Sequence, residues 1–375
     1  MRILIFSAST GGGHKRAAAA LEEKFKAINP GLVVRVVDGL RSIGKVYDKT
    51  VCKGYYIMAT KIPPVYGTFY KITDKDNIIY KAVMKSNAMM AEKLLETIDA
   101  FQPDIVIMCH AFISAMVSKL KQQGKIKAKV ISLITDYNSH RTYISPNIDA
   151  YVLAEPQMAL KLQEEYKVDE AKIFPLGIPT FDKFSEGGKK EEICAREGLD
   201  PQKTTVLLMA GSFGVSGVLR FYEQLAQANR DLQLIVITGR NEKLYEKFKR
   251  HIAELGTEKN TKLLFFVDNV EDYMHVSDLI VTKPGGLTVT ESLACGLPMA
   301  IYSAYPGQEL DNVKFLISQN AAVLVDKELG AEQILGLLQS PRTLQVMKDN
   351  CKRLAHPHAA EDIYKLAMEL SGKTD

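Results

Sequence analysis

VTKPGGLTVTESLACGLPMAIYSAYPGQELDNVKF, residues 281–315, decides the fold. The short apolar run Asp278-Leu279-Ile280-Val281 reads as a buried strand, and Lys283-Pro284-Gly285-Gly286 turns the chain. Thr288 to Cys295 reads as a helix stopped by Gly296 and Pro298, and Met299-Ala300-Ile301 begins another strand. Strand, glycine turn, helix, strand and then a polar loop at a strand's carboxyl end is the unit of an open α/β sheet, and that edge is where ligands bind. The loop offers Gln308, Glu309 and Asn312, groups suited to grasping vicinal hydroxyls. Thr288-Val289-Thr290-Glu291 also fits a capping box, which gives Glu291 a purely structural alternative.

The same alternation runs upstream. Strands at Thr205–Met209, Leu232–Ile237 and Lys262–Val267 are separated by the glycine loop Gly211–Gly217 and by helices. A separate series opens the chain: strand Arg2–Phe6, small-residue turn Ser7–Gly13, alanine-rich helix His14–Ala27 ended by Asn29-Pro30, and strand Leu32–Val37. An irregular, tyrosine-rich segment is expected from Gly39 to Asn77 and a helix from Ile78 to Phe101. Strands follow at Asp104–Met108 and Lys129–Ile134, then a polar loop from Thr135 to Pro146. Two βα series with no long antiparallel run predict an α/β protein of two Rossmann-like domains facing across a cleft. The boundaries fall at 1–174 and 203–355, with a proline- and glycine-bearing linker at 175–202 and a carboxyl-terminal helix at 356–375. A length of 375 residues, too great for one ordinary core, agrees.

Composition narrows the class. With 46% hydrophobic and 25% charged residues the chain is globular, and a net charge of +4 gives no reason to expect nucleic acid as partner. Five scattered cysteines without a C-x-x-C argue against zinc and disulfide frameworks and suit a reducing cytosol. The amino terminus, MRILIFSAST, is too short in its apolar run for a signal peptide, and no run reaches transmembrane length. The expectation is a cytoplasmic protein, free or peripheral on a membrane.

Three further stretches carry chemistry. Thr10-Gly11-Gly12-Gly13-His14 joins the first strand to the first helix, where glycines admit a ligand and the helix amino end favours negative charge. Arg16 occupies the third glycine position of a dinucleotide fingerprint, where a large side chain prevents close helix–strand packing, so a dehydrogenase is disfavoured. Thr135-Asp136-Tyr137-Asn138-Ser139-His140-Arg141 puts a carboxylate, an imidazole and a guanidinium at the sheet's carboxyl edge, although an aspartate there also caps turns. The spacing of His14, Asp136 and His140 matches no reliable metal-ligand pattern. Gly211-Ser212-Phe213-Gly214 can cradle a diphosphate but lacks a Walker lysine, so ATP hydrolysis is disfavoured.

From Arg41 to Lys85 the chain carries nine basic residues against three acidic ones, an excess larger than the whole protein's net charge. Aromatic residues are interleaved. Lys53, Tyr55, Tyr56, Lys61, Tyr66, Phe69 and Tyr70 therefore read as contacts to an anionic bilayer surface, with a solvated loop or a nucleic-acid surface as alternatives.

Taken together, the glycine turn with His14, Lys283-Pro284-Gly285-Gly286 with Glu291, Gly296-Leu297-Pro298, and Pro306-Gly307-Gln308-Glu309 with Asn312 resemble the monogalactosyldiacylglycerol synthase and processive diacylglycerol glucosyltransferase group of glycosyltransferase family 28. The resemblance covers nearly the whole chain. It implies a GT-B fold and inverting, metal-independent transfer of a hexose from a UDP-sugar, a co-substrate rather than a cofactor, to a lipid hydroxyl, diacylglycerol foremost, at the inner face of the cell membrane. By the same resemblance Glu291 holds the ribose hydroxyls, and Gln308 and Glu309 hold the hexose. Gly211, Ser212, Gly285, Gly286, Leu287 and Thr288 surround the diphosphate, Phe266 and Val267 meet the uracil, and Gly13 belongs to the donor side. His14 and Asp136 lie on the acceptor side as candidate bases, His14 preferred if a neighbouring carboxylate keeps it basic. The competing classes are an enzyme using UDP-N-acetylglucosamine on another acceptor (a polyprenyl lipid transferase or a 2-epimerase) and a non-catalytic regulator responsive to UDP-sugar.

Overall fold

A computed structural model describes residues 1–9, 12–210, 217–228 and 231–372. It contains two six-stranded, wholly parallel sheets, each with helices packed against it. The contacts divide the chain into two units: Met1–Phe181 with Tyr305–Asp311 and the segment from His356, and Asp182–Ala304 with Asn312–Ala355.

In the first unit the strands are β1 (Arg2–Ser7), β2 (Val33–Asp38), β3 (Ile105–Met108), β4 (Lys129–Leu133), β5 (Ala150–Val152) and β6 (Ile173–Phe174). Their order in space is β2-β1-β3-β4-β5-β6. Strands buried on both faces need continuous apolar runs, and Ile3 to Phe6 and Ile105 to Met108 have no solvent exposure at all. The helix Gly13–Ile28 packs Ala17, Ala18, Leu21 and Phe25 inward at helical spacing. Its far end is covered by the carboxyl-terminal helix Ala359–Ser371, whose Tyr364 ring meets Phe25 at 5.5 Å.

The segment expected to be irregular is helical. Helices Gly39–Ile43, Lys45–Lys61, Pro63–Thr73 and Ile78–Met89 follow one another, and the helix expected to run unbroken from Ile78 to Phe101 stops at Met89 and resumes at Glu92. The local start signals are sound: Asp38 and Asn77 accept from the backbone amides of Arg41 and Tyr80 as caps, and Pro63 opens its helix. What the stretch lacks is a clean apolar stripe, because its tyrosines and isoleucines point both inward and outward.

Asp74 ties these helices to the sheet. Its carboxylate accepts from Lys161 Nζ at 2.8 Å, from Tyr166 Oη at 2.6 Å and from the Arg141 backbone amide at 2.8 Å. Burial alone would raise its pKa, but these donors hold it below the usual carboxylate value.

The second unit contains β7 (Thr205–Met209), β8 (Gln233–Ile237), β9 (Thr261–Leu264), β10 (Leu279–Thr282), β11 (Met299–Ile301) and β12 (Ala322–Leu324), ordered β12-β11-β10-β7-β8-β9. Its core joins Val206, Leu208 and Val281 from the strands to Phe221, Tyr222 and Phe248 from helices. Within the stretch read as a linker, the helices Lys183–Glu186 and Lys190–Glu197 belong to this unit, and Arg196 Nη2 donates to Asp272 at 2.6 Å.

Removing Asp74 takes away the carboxylate paired with Lys161 and leaves Lys161 and Tyr166 to share the Ser139 carbonyl, so Asp74→Ala should destabilise the protein by about 2–3 kcal/mol. Asp76→Ala breaks only an exposed pair with Lys81 and should stay within about 0.5 kcal/mol of the parent. Urea unfolding of both variants tests this, and equal midpoints would remove Asp74 as the anchor.

Candidate active site

In each sheet the strand order reverses once, and the crevice at the carboxyl ends of the two strands flanking that reversal is where α/β proteins bind ligands. In the first unit those strands are β1 and β3. The turn after β1 leads to His14 in the first turn of its helix. The turn after β3 leads to His110, which caps the helix Ala111–Gln122 by accepting from the Phe112 amide at 3.2 Å. The two imidazoles meet edge to face with centroids 5.0 Å apart. His14 Nδ1 lies 3.1 Å from the Thr135 hydroxyl, beyond the end of β4.

Some solvent reaches both rings, yet protein encloses most of each. Burial lowers the His14 pKa to about 4, against the opposing pull of the Cys109 carbonyl. Burial lowers His110 well below its ordinary value, and His14 facing it lowers it further. Both rings are neutral at pH 7. The carboxylate expected to keep His14 basic is not among its partners in the described residues, which are a hydroxyl, a carbonyl and the second imidazole.

Asp136 follows Thr135, and two residues on, Asn138 Nδ2 donates to Asp311 Oδ2 at 2.8 Å. His140 has a different task. Its Nδ1 accepts from the Thr142 amide at 3.2 Å and its Nε2 faces the Tyr70 carbonyl at 2.9 Å. An amide only donates and a carbonyl only accepts, so the ring is the neutral Nε2–H tautomer with both nitrogens committed. Arg141 is equally occupied, donating to the Asp74 and Glu165 carbonyls. His140 and Arg141 thus serve the loop's own structure.

The segment Tyr305–Asp311 packs on the helix Pro63–Thr73. A side chain at Gly67 would meet Pro306 at 2.6 Å, and one at Gly307, where φ is +100°, would crowd Tyr66 and Tyr70 at 3.0 to 3.3 Å. Tyr66 Oη donates to Gln308 Oε1 at 2.6 Å, and Gln308 Nε2 donates to Tyr55 Oη at 2.9 Å. Burial raises the pKa of both phenols, and the charges of Asp136 and Glu309 add to the effect. Asp136, Gln308 and Glu309 thus share one tyrosine cluster. Among the residues expected at a membrane, Lys53, Tyr56, Lys61 and Phe69 are exposed, whereas Tyr55, Tyr66 and Tyr70 turn inward, Tyr66 to 8% exposure. Their hydroxyls and rings are held by Gln308, Gly307 and the His140 ring at 4.2 Å.

In the second unit the reversal lies between β7 and β10. Gly211 and Ser212, expected beyond β7, lie outside the described residues. Beyond β10, Gly285 caps the helix Gly286–Ala294. Thr288 is therefore the third helical residue rather than the cap, and the capping-box alternative for Glu291 does not hold. Glu291 is buried at 3% exposure on this helix, near Leu287 and Thr288 in its first turn. Asn312, expected to face a sugar, is fully buried and donates to the Pro284 carbonyl at 2.9 Å, which braces the glycine turn. Past the end of β9, exposed Phe266 lies beneath the Arg240 guanidinium at 4.4 Å, with Val267 beside it.

A family model described as monogalactosyldiacylglycerol (MGDG) synthase matches residues 14–180, and one described as glycosyl transferases group 1 matches residues 190–353. The chain is 30% identical over 380 residues to the processive diacylglycerol beta-glucosyltransferase of Bacillus subtilis, covering 99% of this chain and 97% of the relative. The chain belongs to the diacylglycerol glycosyltransferase family. A relative of the same name from Staphylococcus epidermidis is 28% identical over 99% of this chain and 93% of its own. Among solved structures, the Staphylococcus aureus MnaA–UDP complex aligns with a TM-score of 0.67 at 13% identity, covering 100% of this chain and 98% of that one. MurG of Acinetobacter baumannii aligns with 0.64 at 15%, over 98% and 99%. The glycosyltransferase shares with both the GT-B fold, and at such identity the likeness speaks for the fold alone.

Sequence reasoning missed His110 in this glycosyltransferase, and it missed the inward turn of the tyrosines. Position offered a clue to the first: Cys109-His110 follows a strand and opens a helix, as Gly13-His14 does.

Unfolded, both histidines titrate near pH 6.5. In the fold His14 stays neutral to about pH 4, and burial holds His110 well below its ordinary value. The unfolded chain therefore binds protons first, and the stability tied to these rings is complete above pH 6.5 and drains as the pH falls toward 4. The melting temperature should fall between pH 7 and 5, and His14→Gln/His110→Gln should flatten that slope; an unchanged slope would mean the rings are not enclosed as described.

Proposed function

We propose that this glycosyltransferase transfers a hexose from a UDP-sugar to diacylglycerol, with inversion and without a metal. The observation carrying this reading is the end-to-end similarity to processive diacylglycerol beta-glucosyltransferases; in it Glu291, Gln308 and Glu309 hold the donor. Epimerases share the fold at 12–16% identity, which does not bear on activity.

In the reaction the acceptor oxygen attacks the sugar's anomeric carbon, its bond to the diphosphate oxygen breaks, UDP departs with the bonding pair, and the acceptor's proton passes to a protein base. The glycine turn at Gly285-Gly286 and its helix amino end favour the departing charge. In this reading Gly211, Ser212, Leu287 and Thr288 serve the diphosphate, and Gly13 is assigned to the donor. Phe266 and Val267 meet the uracil, and Glu291 accepts from the ribose hydroxyls. His14 is neutral and so ready to accept the proton, but a ring lowered to about pH 4 is a weak base. That weakness, with no carboxylate among its described partners, favours Asp136 as a second candidate.

The acceptor arrives from a bilayer. Val46 and Ile78 are 80% and 82% exposed on the helices of residues 45–89, and Ile62, Val65, Met89, Lys53 and Lys61 of the same segment are exposed as well. Apolar side chains among lysines suit insertion at an anionic surface. No helix among the described residues is long and apolar enough to cross a membrane. We place the enzyme as a peripheral protein on the inner face of the cell membrane.

With diacylglycerol in vesicles, UDP-glucose should yield a glycolipid by mass spectrometry, undiminished by EDTA; no lipid product from any UDP-sugar would overturn the activity. His14→Ala should abolish turnover while UDP affinity stays within a few-fold, whereas retained turnover together with a dead Asp136→Asn would move the base to Asp136. Glu291→Ala should weaken UDP binding by about 1–3 kcal/mol in calorimetry, and unchanged affinity would remove it from the donor site. Val46→Ser/Ile78→Ser should cut sedimentation with anionic vesicles several-fold at unchanged UDP affinity.

A further inference from the structure

We infer that Tyr55 and Tyr66 are positioning residues that hold the Gln308 amide in place and through it govern the enzyme's choice of donor hexose. This rests on the reading that Gln308 contacts the hexose. A primary amide has two donor hydrogens and two acceptor sites on its oxygen, and at a given side-chain torsion it can lie in either of two flipped orientations. Here both ends are engaged from one side. The Tyr66 hydroxyl donates to Oε1 at 2.6 Å and Tyr55 accepts from Nε2 at 2.9 Å. Swinging the amide out of this plane would break both bonds at once, so the two hydroxyls hold it in place.

Each tyrosine consumes one of the amide's two capabilities at its end, leaving one hydrogen on Nε2 and one lone pair on Oε1 in known positions. A fixed donor beside a fixed acceptor distinguishes one arrangement of vicinal hydroxyls from its epimer, because a mismatched hydroxyl leaves a buried partner unsatisfied. The supports are rigid. The Tyr55 and Tyr66 rings meet edge to face at 5.7 Å, Tyr66 is buried, and Gly67 and Gly307 permit backbone approach too close for side chains. Burial keeps both phenols protonated, so the donor on Tyr66 persists across the working pH range.

Tyr66→Phe and Tyr55→Phe keep the rings and delete the hydroxyls. Calorimetric titration of the full chain with UDP and with UDP-glucose, and KM and kcat with UDP-glucose and UDP-galactose, read the effect. Tyr66→Phe should leave UDP affinity within two-fold, raise KM for the preferred donor about 5- to 10-fold, and narrow the ratio of kcat/KM between the two donors. Tyr55→Phe should do the same to a smaller extent. Gln308→Ala separates the two ideas: if it weakens UDP-glucose but not UDP while both tyrosine variants match the parent, the positioning role falls and the reading of Gln308 stands. If Gln308→Ala itself leaves the donor preference intact, that reading fails and the inference with it. Equal weakening of UDP and UDP-glucose by Tyr66→Phe would assign the hydroxyl to structural support and overturn the inference.

Discussion

A parallel sheet whose strand order reverses cannot close its own edge. The two strands flanking the reversal send their following helices to opposite faces, and the notch between the helices' amino ends is left for a ligand. This molecule contains that constraint twice, at β1 and β3 and again at β7 and β10. The residues discussed as functional hang largely on turns at these places. In the first unit it brings two imidazoles from distant parts of the chain to 5.0 Å. In the second it sets a glycine turn and a buried carboxylate on one helix.

The helices of residues 39–89 show how an insertion becomes part of such a site. Asp74 fixes them to the sheet's far loops through three donors, and one face of the bundle then presents tyrosines to Gln308 while another leaves isoleucine, valine and lysine in solvent. A single amphipathic segment thus has an inward polar duty and an outward apolar one. The buried side is specific because every hydroxyl on it has to be satisfied; the exposed side is generic, as suits a fluid surface.

Burial is also what distributes labour among the histidines. His140 lies in the most suggestive loop, yet it is locked by an amide and a carbonyl and only shapes the backbone. His14 and His110 are partly open to solvent, but lose basicity to their surroundings. Chemistry at this site therefore depends on what an arriving ligand does to the polarity around those rings, a quantity set by neighbours rather than by residue type.

The alternation of apolar runs, glycine turns and helix stops determined two parallel sheets, because period and punctuation are local properties that a strand or a helix displays whether or not its partners are known. The turn, helix and strand from Lys283 to Ile301 were legible for the same reason: their signals are close in sequence. The helical insertion was misread because tyrosines serving two faces blur the periodicity. Asn312 was misassigned because whether an amide braces a carbonyl or awaits a sugar depends on a contact 28 residues away. The pairing of His14 with His110, and of Gln308 with Tyr55 and Tyr66 some 250 residues earlier, belonged to tertiary structure alone, since only the folded backbone brings such groups within reach.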